Sequence, residues 1–277
     1  MTPPAKISTL LAATFAIVGA PAFVLAWQLG NFSGQPTPPG DPPIGAQTGD
    51  VLTVRVLKQE AEAAAGEWTY YAQAQALALD RTEKEFGRYE FEVIDLPMEQ
   101  DRSLRSLAEG RFVDVTWTMT STEREASLRP IRIPLLKGLL GYRLFLIRND
   151  DRRFDSIRTA EELAPMQAGQ GVGWPDVDIL QAGGLSVQTG HDFEGLFGML
   201  ERGRFDYFPR GVTEAWGEAE THPLLEVEGH LLLHYPTAIY FFVNPGADRL
   251  AGRIERGLKA AKADGSLDRL FVARYGD

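Results

Sequence analysis

From residue 51 onward the chain alternates between short β-branched runs and helix-forming runs, and this alternation limits its fold more than any other feature. LTVRVL (52–57), YEFEVIDL (89–96), FVDVTWTMT (112–120), GYRLFLIR (141–148), GQGVGW (169–174), LSVQTG (185–190), RFDYF (204–208), LLLHY and AIYFFV read as strands. Between them, 68–86, 100–110, 156–164, 175–184 and the FEGLFGMLERG segment read as helices, and a long helix near the C-terminus begins DRLAGRIERG. Ser156 is the expected N-cap of the third of these, and Pro175 opens the fourth. Repeated strand–helix–strand order predicts parallel sheets covered by helices. Two such series, joined through GYRLFLIR and rejoined through AIYFFV, predict an α/β protein of two lobes, with the C-terminal helix returning to the first. A cleft between two α/β lobes is a common place for a small molecule.

The chain has 277 residues, enough for one large domain or two ordinary ones. Its net charge of −10 argues against nucleic acid as a partner, because duplex binding rests on neutralising phosphates. There is no cysteine, which removes disulfides, thiol catalysis and a lipoprotein anchor. Lys6 precedes an uncharged apolar run, Ile7 to Ala26, that reads as a signal peptide with cleavage after Ala22 or Ala26. The run is also long enough to serve as an uncleaved membrane anchor. Residues 27–50 form a linker, and its 33–50 segment holds five prolines and four glycines, a flexible tether. The expected organisation is a signal peptide at 1–26, this linker, a first lobe at 51–140 and 238–277, and a second at 141–237.

Three stretches carry a family resemblance: LAEGRFVDVTWTMTSTEREASLRPIRIP, FEGLFGMLERGRFDYF, and AIYFFVNPGADRLAGRIERGLKAAKADGSLDRLFVARYG. Together they resemble the periplasmic solute-binding proteins of amino-acid-type ABC importers, over roughly 51–275. The resemblance implies a type II periplasmic-binding fold, with a hinge of two crossing segments and an interlobe cleft. It further implies a monomer that holds a small-molecule solute and presents it to an ABC permease. In that family the arginine of a Thr-x-x-Arg loop grips the ligand carboxylate as a fork, a role that falls here on Arg124. An aspartate in the second lobe holds the ligand ammonium, and here it is missing: the segment after Asp206 reads YFPRGVTE, with Arg210 and Gly211 at the aligned place. A free arginine there would favour an anionic group or a neutral acceptor over an ammonium. Arg210 has an alternative in an ion pair with Glu214, and Glu214 has one as a displaced ammonium partner.

Other positions align with ligand loops. Trp174 precedes a helix start at which Asp176 and Asp178 occupy the dipole, so a stacking wall is its expected role. Trp68, Tyr70 and Tyr71 fall where the family places an aromatic over the ligand. Thr116, Thr118 and Thr120 share one face of their strand and Trp117 the other. His230 and His234 lack the H-E-x-x-H context of a metal site, and the glycines of GQGVGW lie within a strand instead of opening a helix. No cofactor is expected, nor is an enzyme. The alternatives are a sensor or accessory protein of the same fold without a permease, and an exported dehydratase-like enzyme, for which no general acid is identifiable.

Overall fold

The computed structural model describes residues 51–62 and 68–276; the signal-peptide and linker assignments lie outside the described residues. The first half runs β1 (Val51–Leu57), α1 (Lys58–Ala61), α2 (Tyr70–Asp80), α3 (Glu83–Phe86), β2 (Arg88–Ile94), α4 (Gln100–Ala108), β3 (Val115–Met119), α5 (Thr122–Ser127) and β4 (Arg129–Ile131). The second half runs β5 (Tyr142–Arg148), α6 (Ala160–Leu163), β6 (Gln167–Gly171), α7 (Pro175–Ala182), β7 (Ser186–Gly190), α8 (Phe193–Glu201), β8 (Phe208–Gly211), α9 (Ala215–Thr221), β9 (Leu225–Val227) and β10 (Leu233–His234). Then β11 (Ile239–Val243), α10 (Asp248–Ala263) and α11 (Ser266–Tyr275) close the chain.

Only part of the strand pairing is parallel. β1 pairs β2 and β6 pairs β7 in parallel, each across helical connections. β11 runs antiparallel between β3 and β4, and β5 runs antiparallel to β8, β9 and β10. The expectation of purely parallel sheets is thereby corrected. β5 and β11 are reached by extended segments, with no long helix forcing a crossover. Those segments touch each other: Tyr235 N–H donates to Gly141 O at 3.0 Å.

The two lobes share this pattern of β-sheet with helical cover. α10 returns to the first lobe and packs on α2. The approach is close enough that a Cβ on Gly257 would stand 1.8 Å from Ala78 O, so glycine is required there. Buried Leu79, Ile254, Leu258 and Ala261 help fill this interface. α10 and α11 are separated by Gly265 in a left-handed conformation (φ 72°), which the ADGSLDRLF turn supplies without side-chain strain.

Two local expectations shift. α6 starts at Thr159, not Ser156: the Thr159 hydroxyl accepts from Glu162 N–H and the Glu162 carboxylate accepts in return, a reciprocal cap. The strand expected at 204–208 begins only at Phe208 and continues through Pro209 and Arg210 to Gly211. Proline is tolerated because β8 ends the β10–β5–β8 path, an edge at which its missing N–H breaks no ladder.

Candidate functional site

α5 begins at Ser121, whose hydroxyl accepts from Arg124 N–H and fixes the first turn. This turns the Arg124 side chain inward, where the residue is only 7% exposed. Nη1 donates to Thr118 Oγ1 at 2.6 Å and to Met119 O at 2.9 Å. Nη2 donates to Gln100 Oε1 at 2.6 Å and, across the lobes, to Gly173 O at 3.1 Å. Every acceptor is neutral. Among the described residues no carboxylate comes within ion-pair distance. Burial lowers the Arg124 pKa to about 10, although Asp101, Asp176 and Glu123 oppose it, so the side chain stays charged at neutral pH.

The second lobe carries buried charge as well, but its cations are matched. Arg210, paired with Leu144 across β8 and β5, forks onto Glu218 at 2.7 and 2.6 Å and lies 3.1 Å from Glu214. The Trp174, Phe193 and Phe208 rings surround its guanidinium at 5.0–5.4 Å. Burial alone would lower its pKa, yet the carboxylates of Glu214 and Glu218 outweigh that and raise it. The expectation of a free positive charge at Arg210 is thereby corrected: two carboxylates on one guanidinium leave negative charge in excess. Glu214 also accepts from Gly211 N–H at 3.0 Å and keeps 30% of its side chain exposed. A Cβ on Gly211 would stand 3.0 Å from Glu214 Oε2, so this carboxylate occupies the space into which a side chain at 211 would point. Burial pushes the Glu214 pKa up, but Arg210, Arg143 and the Gly211 amide prevail and hold it low.

Arg143, which the sequence reading passed over, sits 3% exposed in β5. It pairs with Asp176 at 2.8 Å and donates to Tyr235 Oη at 2.8 Å; the Tyr235 hydroxyl in turn donates to Asp176. The start of α7 is thus tied by its own acidic residue to the crossing segment. The available signal was a lone charge in the apolar run GYRLFLIR, since a buried charge requires a partner.

The expected aromatic residues separate into two groups. Tyr71 stacks on Trp117 at 3.8 Å with 12° between the planes, and the indole Nε1–H of Trp117 is buried without a hydrogen-bond partner. Burial raises the Tyr71 pKa, followed by the charges of Tyr275 and Glu214, which puts this stack within the field of the second-lobe wall. Tyr70 instead donates to Leu135 O at 2.7 Å and packs on Tyr275 and Phe271, inside the first lobe. Trp68 packs on Phe91. Thr118 serves Arg124, whereas Thr120 donates to Glu125 at 2.5 Å.

No protein-family profile matches the chain. No curated protein matches it in sequence. Solved structures do match in shape. One is a mutant of ArgBP from T. maritima, at 20% identity over 82% of this chain and 96% of that one, with a TM-score of 0.62. An ancestral arginine-binding protein bound to arginine has 19% identity over 80% and 98%, with a TM-score of 0.59. An ancestral amino acid-binding protein described as a precursor of cyclohexadienyl dehydratase has 19% identity over 80% and 95%, with a TM-score of 0.58. These matches define the class of fold, the two-lobed periplasmic-binding-protein fold.

Proposed function

We propose that this chain is an exported solute-binding protein that holds a small, polar, carboxylate-bearing solute between its lobes and delivers it to an ABC-type permease as a monomer. The observation that carries this reading is Arg124. It is a buried guanidinium with only neutral acceptors, at a place where both lobes reach it. A carboxylate arriving there replaces neutral hydrogen bonds with a charge-assisted fork. It also contacts both lobes, which is the condition for a solute to favour closure.

Glu214 completes the site for an amino acid. Its partly exposed carboxylate takes the ammonium, and Arg210 positions it from behind. The Tyr71–Trp117 stack forms the apolar wall, with the free Trp117 N–H as a donor. The structural neighbours are proteins whose names record amino-acid binding, which supports the same class of solute and a role in capture instead of catalysis. The apolar 7–26 segment supports export; among the described residues no helix is long and apolar enough to cross a membrane.

The test is a thermal-shift screen with α-amino acids, dicarboxylates, aromatic acids and short peptides. At a hundred times Kd a solute adds about 2.7 kcal/mol, a rise of roughly 5–10 °C in Tm. A hit that Arg124→Ala abolishes supports the reading. Hits that Arg124→Ala leaves intact would remove Arg124 from the site.

A further inference from the structure

The glycines of GQGVGW open no cofactor loop, and two of them have another use. Gly171 ends β6, and Gly173 lies in the turn before α7. A Cβ on Gly171 would stand 2.4 Å from the Trp174 ring, so a bare backbone at 171 lets Trp174 fold over the turn. Gly173 has φ 76°, a left-handed conformation that disfavours any side chain. A Cβ there would stand 2.7 and 2.8 Å from the two carboxylate oxygens of Asp101, and 3.0 Å from Asp101 Cγ. Asp101 belongs to α4, in the other lobe.

The first lobe thus holds this turn from two sides. Arg124 Nη2 donates to Gly173 O at 3.1 Å, and the same nitrogen donates at 2.6 Å to Gln100, the neighbour of Asp101. Burial disfavours the charge on Arg124, and Asp101 is foremost among the carboxylates that oppose that effect. Behind the turn, α7 is anchored. Asp176 pairs with Arg143 at 2.8 Å and accepts from the Tyr235 hydroxyl, while Arg143 Nη2 reaches Met119 Sδ at 3.6 Å, at the end of β3. The turn therefore cannot shift without loading a buried ion pair, and it moves as part of the second lobe.

We infer that this turn is a latch: the second lobe docks on the first through the chain's own groups, and the missing side chain at 173 sets how closely the lobes approach. Two contacts of different kinds meet at one residue. The Arg124–Gly173 hydrogen bond is directional and draws the lobes together. The Asp101 carboxylate fills the volume that a Cβ at 173 would need, so only glycine fits the docked arrangement. Neither contact involves a solute, and the latch stands or falls apart from the solute-binding reading.

The chain has no cysteine, so a pair introduced at 101 and 173 reports on this contact alone. Asp101 Cβ lies one bond beyond its Cγ, which puts the two Cβ positions within about 4.5 Å, the span of a disulfide. The test takes Asp101→Cys/Gly173→Cys, expressed from Met1, refolded from urea to remove small molecules, and oxidised with no solute added. Free thiols are counted by alkylation and mass spectrometry. The disulfide should form in most folded molecules and in few when the oxidant is added in urea. Arg124→Ala in the same background should slow its formation by about tenfold, the worth of one hydrogen bond to a charged group. A folded pair that stays reduced overturns the latch, and so does a rate that Arg124→Ala leaves unchanged. Should the turn reject cysteine, Gly173→Ala is compared with Gly173→Ala/Asp101→Ala by urea unfolding. Removing the carboxylate recovers part of the lost stability if the lobes dock here, and no recovery refutes the contact.

Discussion

Replacing Glu60 by glutamine should make the solute-free protein more stable, and increasingly so as pH rises. Burial lifts the Glu60 carboxyl from its ordinary 4.5 to about 7. Below pH 4.5 the carboxyl is protonated in both native and unfolded chains, and the substitution has no pH-dependent effect. Between 4.5 and 7 the unfolded chain has released the proton while the native one still holds it, so each pH unit favours unfolding by about 1.4 kcal/mol. Above 7 the penalty is complete, at about 3 kcal/mol. Glutamine keeps the shape and exchanges hydrogen bonds with the Ser103 and Thr116 hydroxyls without titrating. Any loss in hydrogen-bond quality, about 1 kcal/mol, is constant with pH. Urea unfolding of both proteins at pH 5, 6, 7 and 8 should therefore give curves that diverge, with the variant gaining about 2–3 kcal/mol between pH 5 and 8. Stability differences that do not change across that range would mean that Glu60 ionises as an exposed carboxylate does, and the argument from its burial would be wrong.

Three other substitutions separate the roles assigned above. Arg124→Ala should weaken solute binding by roughly 2–5 kcal/mol by calorimetry, and a loss within about 0.5 kcal/mol would place Arg124 outside the site. Arg210→Ala leaves Glu214 and Glu218 without their cation and should cost roughly 3–5 kcal/mol in urea unfolding; Arg210→Lys cannot restore the fork on Glu218, and full recovery by lysine would contradict the geometry. Gly257→Ala drives a methyl into Ala78 O and should lower stability by about 1–3 kcal/mol in a thermal melt, with solute affinity per folded molecule unchanged.

The fold was legible where periodicity and punctuation agreed. β5, β11, α7, α8 and α10 fall within a few residues of their expected spans, because each is an apolar run or an amphipathic helical repeat bounded by glycine, proline or a polar turn. The RFDYF segment was misread because its backbone contacts are tertiary: Asp206 N–H donates to Gln167 O, and Gly169 N–H donates to Tyr207 O, a single bridge ahead of the strand proper. Glu60 was not legible at all. In KQEAEAAAGE it looks like one of several solvated acids, and the groups that bury it, Ser103 and Thr116, lie 43 and 56 positions away.

The missing aspartate in the second lobe looked like the loss of an ammonium site, with an arginine in its place. The structure gives the same residues another meaning. Gly211 has no side chain, and this leaves room for Glu214, three residues on, to fold back until its carboxylate lies where a side chain at 211 would go. Arg210 is not presented to the cleft as a charge. It stands behind Glu214, forked onto Glu218 and enclosed by three aromatic rings. Arginine suits this position because its planar group can meet two carboxylates and three ring faces at once, which an ammonium cannot. Read one position at a time, the glycine is a deletion and the arginine a reversal of charge. Taken together they put a carboxylate, that of Glu214, in the side-chain space of residue 211, which neither residue alone would indicate.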